Sequence, residues 1–178
     1  MVRTLFSIVL LNMISCSANR FPFDSNGLTY KDKFVYAFNI GQIKMDGYFF
    51  QVYKEKTLFV EYFFENGYYC RFAQDYNKNF TCPEIDSPQR QIPYFWGVYV
   101  IDTDTIKIQR ISGDGRGRYG KFMVEELWAK IENEGNMIRY FRKKDIDGKI
   151  SVIDEVYKFH PCTNKPASTN ILMQEKKN

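Results

Sequence analysis

Residues 48–72 read YFFQVYKEKTLFVEYFFENGYYCRF, and this stretch decides the fold class. Tyr48 to Tyr53 is aromatic or β-branched except for Gln51, a composition that suits a pleated, half-buried surface. Lys54-Glu55-Lys56 then makes a charged turn. The chain resumes from Thr57 to Phe64, with Leu58, Val60, Tyr62 and Phe64 on one face at the period of two of a strand. Asn66-Gly67 is the strongest short hairpin signal, and Tyr68 to Phe72 pairs back across it. Consecutive strands joined this tightly must run antiparallel, because a parallel pair needs a long crossover.

The pattern continues outward. Upstream, Asp46-Gly47 is a turn signal, and Phe34, Tyr36 and Phe38 alternate in a first strand within residues 28–43. Downstream, residues 73–91 are polar and hold Asn77, Asn79, Pro83, Asp86 and Pro88, which makes them a long loop or lid beside the sheet. Trp96 to Asp102 is strand, Asp102-Thr103-Asp104 turns it, and Thr105 to Ile111 alternates with Ile106 and Ile108 on one face. Phe122 to Glu132 is ambiguous. Val124, Leu127, Trp128 and Ile131 fall at helical spacing, while Leu127, Ala129 and Ile131 against Glu126, Lys130 and Glu132 fit a strand. Asn133 to Asn136 turns into a strand from Met137 to Lys143. Asp147-Gly148 turns again, and Lys149 to Phe159 is the last strand, with Ile153, Tyr157 and Phe159 on one face. Roughly eight strands with short turns predict an all-β domain, an antiparallel up-and-down β-barrel. A barrel of that size can hold one small ligand.

Aromatics are 17% of the chain, with 16 Phe and 13 Tyr. Phe49, Tyr53, Tyr62, Tyr99, Tyr140, Tyr157 and Phe159 are the residues expected to line a ligand cavity, since such sites are apolar with a few polar groups. The competing reading is that these rings fill the core. The net charge of +4 is modest and spread along the chain, which argues against a nucleic-acid partner.

Other motifs offer little chemistry. Gly115-Arg116-Gly117-Arg118-Tyr119-Gly120 spells G-x-G-x-x-G, but a dinucleotide site needs a parallel βαβ unit. His160 is the only histidine, and a strand-end residue is more often structural. Asp145-Ile146-Asp147-Gly148 lacks the further ligands of a calcium loop and reads as a hairpin turn. Glu125-Glu126 and Asp102/Asp104 alternate like solvated strand or turn residues. No catalytic residue, metal or cofactor is expected, and the chain reads as a non-enzyme. Export makes a disulfide possible. Cys70 and Cys82 bracket the polar loop and can close it, leaving Cys162 odd; three free cysteines is the other reading.

The first sixteen residues carry the location. Arg3 supplies a positive start, Leu5 to Leu11 is apolar except for Ser7, and Asn12-Met13-Ile14-Ser15-Cys16 ends in a small residue before a cysteine. That order is a secretory signal, too short for a membrane span, which needs about 20 apolar residues. Met13-Ile14-Ser15-Cys16 resembles the bacterial lipobox, with Met13 in place of the preferred Leu. The resemblance implies residues 1–15 as a signal peptide, lipid on Cys16 and a polar tether to residue 27. The domain then spans 28–162 and a polar tail 163–178. Ser17 after the cysteine favours the outer membrane of a Gram-negative envelope, with the membrane itself as partner through the anchor.

Asp46-Gly47-Tyr48, Trp96-Gly97-Val98-Tyr99, Asp104-Thr105-Ile106-Lys107-Ile108 and Val156-Tyr157-Lys158-Phe159-His160-Pro161 carry a further likeness. Over most of residues 45–162 the chain resembles small lipocalin-like lipoproteins of Bacteroidetes-type bacteria. The resemblance implies a calycin-like barrel on a lipid tether and favours strand for Phe122 to Glu132. The chain departs from authentic lipocalins in lacking their Gly-x-Trp at the first strand. The expected function is an envelope lipoprotein whose barrel binds a small apolar or amphipathic ligand, or an envelope component. The alternative is a structural or interaction lipoprotein with a filled core.

Overall fold

The computed structural model describes residues 43–76, 81–85, 95–113 and 122–165. They form eight strands: β1 (Gly47–Tyr53), β2 (Thr57–Phe63), β3 (Tyr68–Asp75), β4 (Trp96–Asp102), β5 (Thr105–Gly113), β6 (Phe122–Glu132), β7 (Met137–Lys144) and β8 (Ile150–Pro161). Each pairs antiparallel with the next, and β8 returns to β1, closing an up-and-down barrel. A 3-10 turn, Asn133–Gly135, joins β6 to β7. The Phe122–Glu132 ambiguity resolves as strand, because β6 is flanked by β5 and β7 and its inward positions meet the barrel core. The strand expected over Phe34 to Phe38 lies outside the described residues.

Turn chemistry explains the register. Lys54 and Glu55 both take positive φ, at 50° and 56°, and Lys56 N–H donates to the Tyr53 carbonyl, so a charged pair makes the tight turn that glycine usually makes. Gly67 and Gly148 hold φ of 81° and 82°, a region open to glycine without penalty. Asp46-Gly47, expected as a turn, is not one. Gly47 opens β1, and a Cβ there would lie 2.1 Å from the His160 carbonyl oxygen, so glycine serves close strand approach. β3 runs on to Asp75, which moves Ala73, Gln74 and Asp75 from the expected loop into the sheet.

Two apolar layers result. The inner one fills the barrel with Phe49, Phe63, Tyr69, Tyr99, Ile106, Ile108, Leu127, Ala129, Ile138, Tyr140 and Tyr157, drawn from every strand. Fully burying each large apolar side chain contributes roughly 1.5–3 kcal/mol. The second layer lies on the outer face of β1–β4 and includes Tyr48, Leu58, Val60, Tyr62, Cys70, Phe72, Trp96 and Val98. Residues 81–85 pack on it: Ile85 is wholly buried, and Tyr62 Oη donates to the Pro83 carbonyl at 2.8 Å. Cys82 is tied to Cys162 by a disulfide, with a Cα separation of 5.6 Å, while Cys70 is buried and takes no part in that bond. The Cys70–Cys82 pairing is therefore replaced by Cys82–Cys162. Cys70 lies mid-β3 opposite Tyr62, whereas Cys162 leaves the end of β8 beside the same outer layer.

The end of the barrel that holds the β2–β3, β4–β5 and β6–β7 turns is plugged. Ile43 and Met45 pack into the inner layer, Cys162 N–H donates to the Asp46 carbonyl, and Lys165 Nζ donates to the Met45 carbonyl and, at 2.6 Å, to that of Phe63. Burial pulls the Lys165 ammonium down to about 8, with the charges of Glu65 and Asp46 opposing the shift.

Candidate functional site

The opposite half of the barrel interior is charged. In antiparallel strands the side chains facing inward recur every second residue, so Phe159, Phe49, Glu61 and Arg71 line up across β8, β1, β2 and β3. A second row runs Phe63, Tyr69, Gly97, Arg110 and Glu125 across β2 to β6. Gly97 sits where a Cβ would come within 2.4 Å of the Gln109 carbonyl oxygen and 2.9 Å of Arg110 Cα. Its bare backbone lets β4 close against the β5 backbone at Gln109 and Arg110.

Glu61 is the centre. It is fully buried, and its carboxylate accepts from Tyr69 Oη at 2.8 Å and Tyr140 Oη at 2.7 Å. Burial raises its pKa; Arg71 and the two tyrosine hydroxyls act in the opposite direction without cancelling the desolvation. Arg71 lies 3.5 Å from Glu61 and 3.8 Å from Glu155, and donates to Tyr157 Oη at 2.8 Å. Its guanidinium also stands over the rings of Phe59 and Tyr157, at 5.4 and 5.7 Å. Desolvation opposes its charge and is the largest single influence, but Glu61 together with Tyr69, Tyr157 and Tyr140 outweighs it, and the pKa is raised. Tyr69, Tyr140 and Tyr157 are all raised by burial and then by Glu61, so all three keep their hydroxyl protons at any ordinary pH.

Arg110 pairs with Glu125, which also meets Lys143 at 2.9 Å, and Lys143 reaches Asp145 at 2.8 Å. Burial works to raise the Glu125 pKa, but the two cations outweigh it and hold the carboxyl below the usual range. The network thus carries two carboxylates in opposite states of ease: Glu125 firmly ionised, Glu61 resisting ionisation. Arg71 and Arg110 keep 18% and 19% of their side chains accessible although they point into the barrel. Above them, at the end holding the β1–β2 and β7–β8 turns, the partly buried Phe59 and Ile153 and the half-exposed Tyr53 belong to the same inward face.

The expected cavity residues divide. Phe49, Tyr99, Tyr140, Tyr157 and Phe159 do point inward, and the first four are no more than 1% exposed, so they are packed against one another. Tyr62 belongs to the outer layer instead, because its neighbour Glu61 takes the inward direction. Tyr53 is 50% exposed at the rim. His160 faces outward with its ring 5.3 Å from that of Tyr48. The Asp145–Gly148 segment is the β7–β8 turn, closed by Gly148 N–H to the Asp145 carbonyl and by Lys149 N–H to Asp147 Oδ1. Asp102 and Asp104 are surface partners of Lys107 and Lys130, as a solvated turn implies. Glu125 is not solvated as its alternation suggested; it is buried on two cations. Cys16 and the Gly115–Gly120 motif lie outside the described residues. Among the described residues no cluster of His, Cys, Asp and Glu could hold a metal, and no helix is long and apolar enough to cross a membrane.

Glu61, Arg71, Arg110 and Lys143 were not singled out by sequence, and Glu125 was read there as a solvated residue. One signal did exist for Glu61. Phe59, Glu61 and Phe63 share a face, while Leu58, Val60 and Tyr62 fill the other, so a strand apolar on both sides must bury its one carboxylate. Comparison with family models, with curated proteins and with solved structures returns no match to this chain. The molecule is defined by its own architecture: a closed eight-stranded antiparallel barrel, plugged at one end and charged inside at the other.

Proposed function

We propose that this chain is a lipid-anchored envelope protein whose barrel binds a small amphipathic ligand at its charged end. The ligand's acidic or carbonyl oxygen meets Arg71, and its apolar part lies against Tyr53, Phe59 and Ile153. The observation that carries this reading is the loose hold on Arg71. Charge-assisted pairs close to about 2.7–2.9 Å, yet its two carboxylate contacts are 3.5 and 3.8 Å, and 18% of the side chain meets solvent. A planar guanidinium offers five donors, and only the bond to Tyr157 is short. A buried charge network is also a poor way to stabilise a core, since apolar replacements are often equal or better. Perturbed groups of this kind gather at functional sites.

Dodecanoate, dodecanol and dodecyltrimethylammonium separate the head-group chemistry. Titrated into the purified chain and read by native mass spectrometry, dodecanoate is expected to bind best, and Arg71→Met to weaken it about tenfold, the ratio that 1.4 kcal/mol represents. Equal or absent binding of all three refutes the site. The anchor is supported by the residue order from Arg3 to Cys16 and by the lipobox likeness. Two or more acyl chains hold a protein stably on a bilayer where one does not. Cys16→Ser should move the protein from the membrane to the soluble fraction, and retention would refute lipidation.

A second reading is a structural or interaction lipoprotein with a filled barrel. It is favoured by the tight packing of Phe49, Tyr99, Tyr140 and Tyr157.

A further inference from the structure

The barrel is closed unevenly. β7 and β8 pair from Met137↔Lys158 to Lys144↔Ile150, and β1 pairs with β2 as far as Tyr53↔Thr57. Between β1 and β8, however, the ladder holds only four pairs, Gly47↔Pro161 to Phe50↔Lys158. Above that point the two strands part. Residues 150–157 of β8 have β7 on one side and no strand partner on the other among the described residues. Each second backbone N–H and C=O along that edge is directed away from β7.

The exposed apolar side chains gather at the same place. Among the described residues the large hydrophobics that stand exposed are Tyr53 at 50%, Ile150 at 51% and Val152 at 89%, all on the two strands that part. Scattered exposed hydrophobics need no explanation, but these flank one open edge. Natural edge strands are blunted by Lys, Pro or a bulge on the edge. Ile150-Ser151-Val152-Ile153-Asp154-Glu155-Val156 contains neither Lys nor Pro and is rich in β-branched residues, and its one irregularity is the register shift against β7 between Tyr140↔Glu155 and Arg142↔Val152. It is a β-prone strand with one side unpaired among the described residues.

We propose that the open edge of β8 is a self-association surface, on which a second copy of this chain lays its own β8 antiparallel about a two-fold axis at Val152. Two-fold pairing is isologous, so the edge must complement itself. A register centred on Val152 sets that residue against the partner's Val152, Ile150 against the partner's Asp154, and Lys149 against the partner's Glu155. The last contact occurs twice and joins opposite charges. Lys149 is exposed, and Glu155, although it stands 3.8 Å from Arg71, keeps 42% of its side chain exposed at the edge. Centring on Asp154 would set two carboxylates against each other, which is destabilising. Centring on Ile153 would set Glu155 against Ser151 and lose the charge match. A slip of one residue on a single strand would turn its side chains to the wrong face. The surface involved is a single strand and its flanks, smaller than the standard interface of about 1,600 Å², so the dimer is weak and dependent on concentration.

Sedimentation equilibrium of the purified chain over tens to hundreds of micromolar should show monomer passing to dimer. Val152→Lys should weaken that association about tenfold or more, and it should leave the melting temperature unchanged because Val152 is exposed. Opposed Cβ atoms across such a pair lie about 4.5–5.5 Å apart, near the span of a disulfide. On a Cys16→Ser background, Val152→Cys should therefore crosslink the dimer under mild oxidation faster than Lys54→Cys does. A chain that stays monomeric throughout, a dimer indifferent to Val152→Lys, or equal crosslinking at the two positions would each overturn the proposal. Arg71→Met should leave the dimer intact, which separates this surface from the ligand site.

Discussion

Replacing Glu61 by Gln tests the centre of the charged network. The carboxyl is fully buried, and desolvation raises its folded pKa above the ordinary value of 4.5. A raised carboxyl holds its proton more tightly in the folded state than in the unfolded one. Stability falls with pH wherever the folded state binds more protons. The sign follows: Glu61 costs nothing below pH 4.5, and its penalty grows as pH rises from 4.5 through its folded pKa. The slope can reach about 1.36 kcal/mol per pH unit for one group. Gln keeps the size and one acceptor oxygen, so like the protonated carboxyl it accepts from one of Tyr69 and Tyr140 and offers a donor to the other, but it cannot ionise. Glu61→Gln should therefore lie within about 1 kcal/mol of the parent at pH 4, a near-isosteric change, and then gain on it as pH rises. The assay is urea unfolding of both proteins from pH 4 to 8, taking the difference in stability so that Glu125 and other common groups cancel. If the parent instead gains on Glu61→Gln over that range, the Arg71 and tyrosine contacts outweigh burial, and the reasoning about Glu61 is wrong.

Three further outcomes are expected. Cys162→Ser opens a loop with a sequence separation of 80; the chain-entropy relation puts the loss at about 4.5 kcal/mol, so the thermal midpoint should drop and dithiothreitol should reproduce the drop in the parent but not in the variant. Gly97→Ala drives a Cβ against backbone atoms of Gln109 and Arg110, and should lose about 3 kcal/mol or more in denaturant unfolding, whereas a tolerated alanine would show that β4 and β5 can part. Lys165, lowered to about 8, sheds a proton on folding between there and its ordinary 10.5. Stability should therefore rise with pH across that window, and the rise should be absent from Lys165→Met; a parallel profile for the two would refute the assignment.

What the sequence conveys about this fold depends on whether a feature is local. Asn66-Gly67 and Asp147-Gly148 state their turns in two letters, because positive φ is a property of the residue itself. Lys54-Glu55 conveys a turn only by its charge. Gly47 misleads for the opposite reason: beside Asp46 it looks like a turn, yet its purpose is the approach of the His160 backbone, which comes from the far end of the chain. The same distinction governs the cysteines. Cys70 and Cys82 are near in sequence, so their pairing looked economical, but closure of β8 onto β1 brings Cys162 to the segment that Cys82 anchors. β6 fits two periods equally well until its neighbours are known.

The charged network was the least legible part, and the reason is physical. In a sheet with one wet face, a Glu or Arg on a strand marks that face. Here β2 and β3 are apolar on both faces, since the inner one fills the barrel and the outer one lies under residues 81–85. Leu58, Val60, Tyr62 and Phe64 look like the core face in sequence because they form the unbroken apolar row. They are the outer layer, and the interrupted row of Phe59, Glu61 and Phe63 is the interior. The interruption is the informative feature. A carboxylate is placed inside a barrel at the cost of its desolvation, and it is kept there by hydroxyl donors from β3 and β7 and by an arginine that holds it at 3.5 Å. A core needing only stability would do as well with leucine at that position. That Glu61 and Arg71 stand there, with 18% of the arginine side chain still accessible, is what supports the proposed ligand site at this end of the barrel.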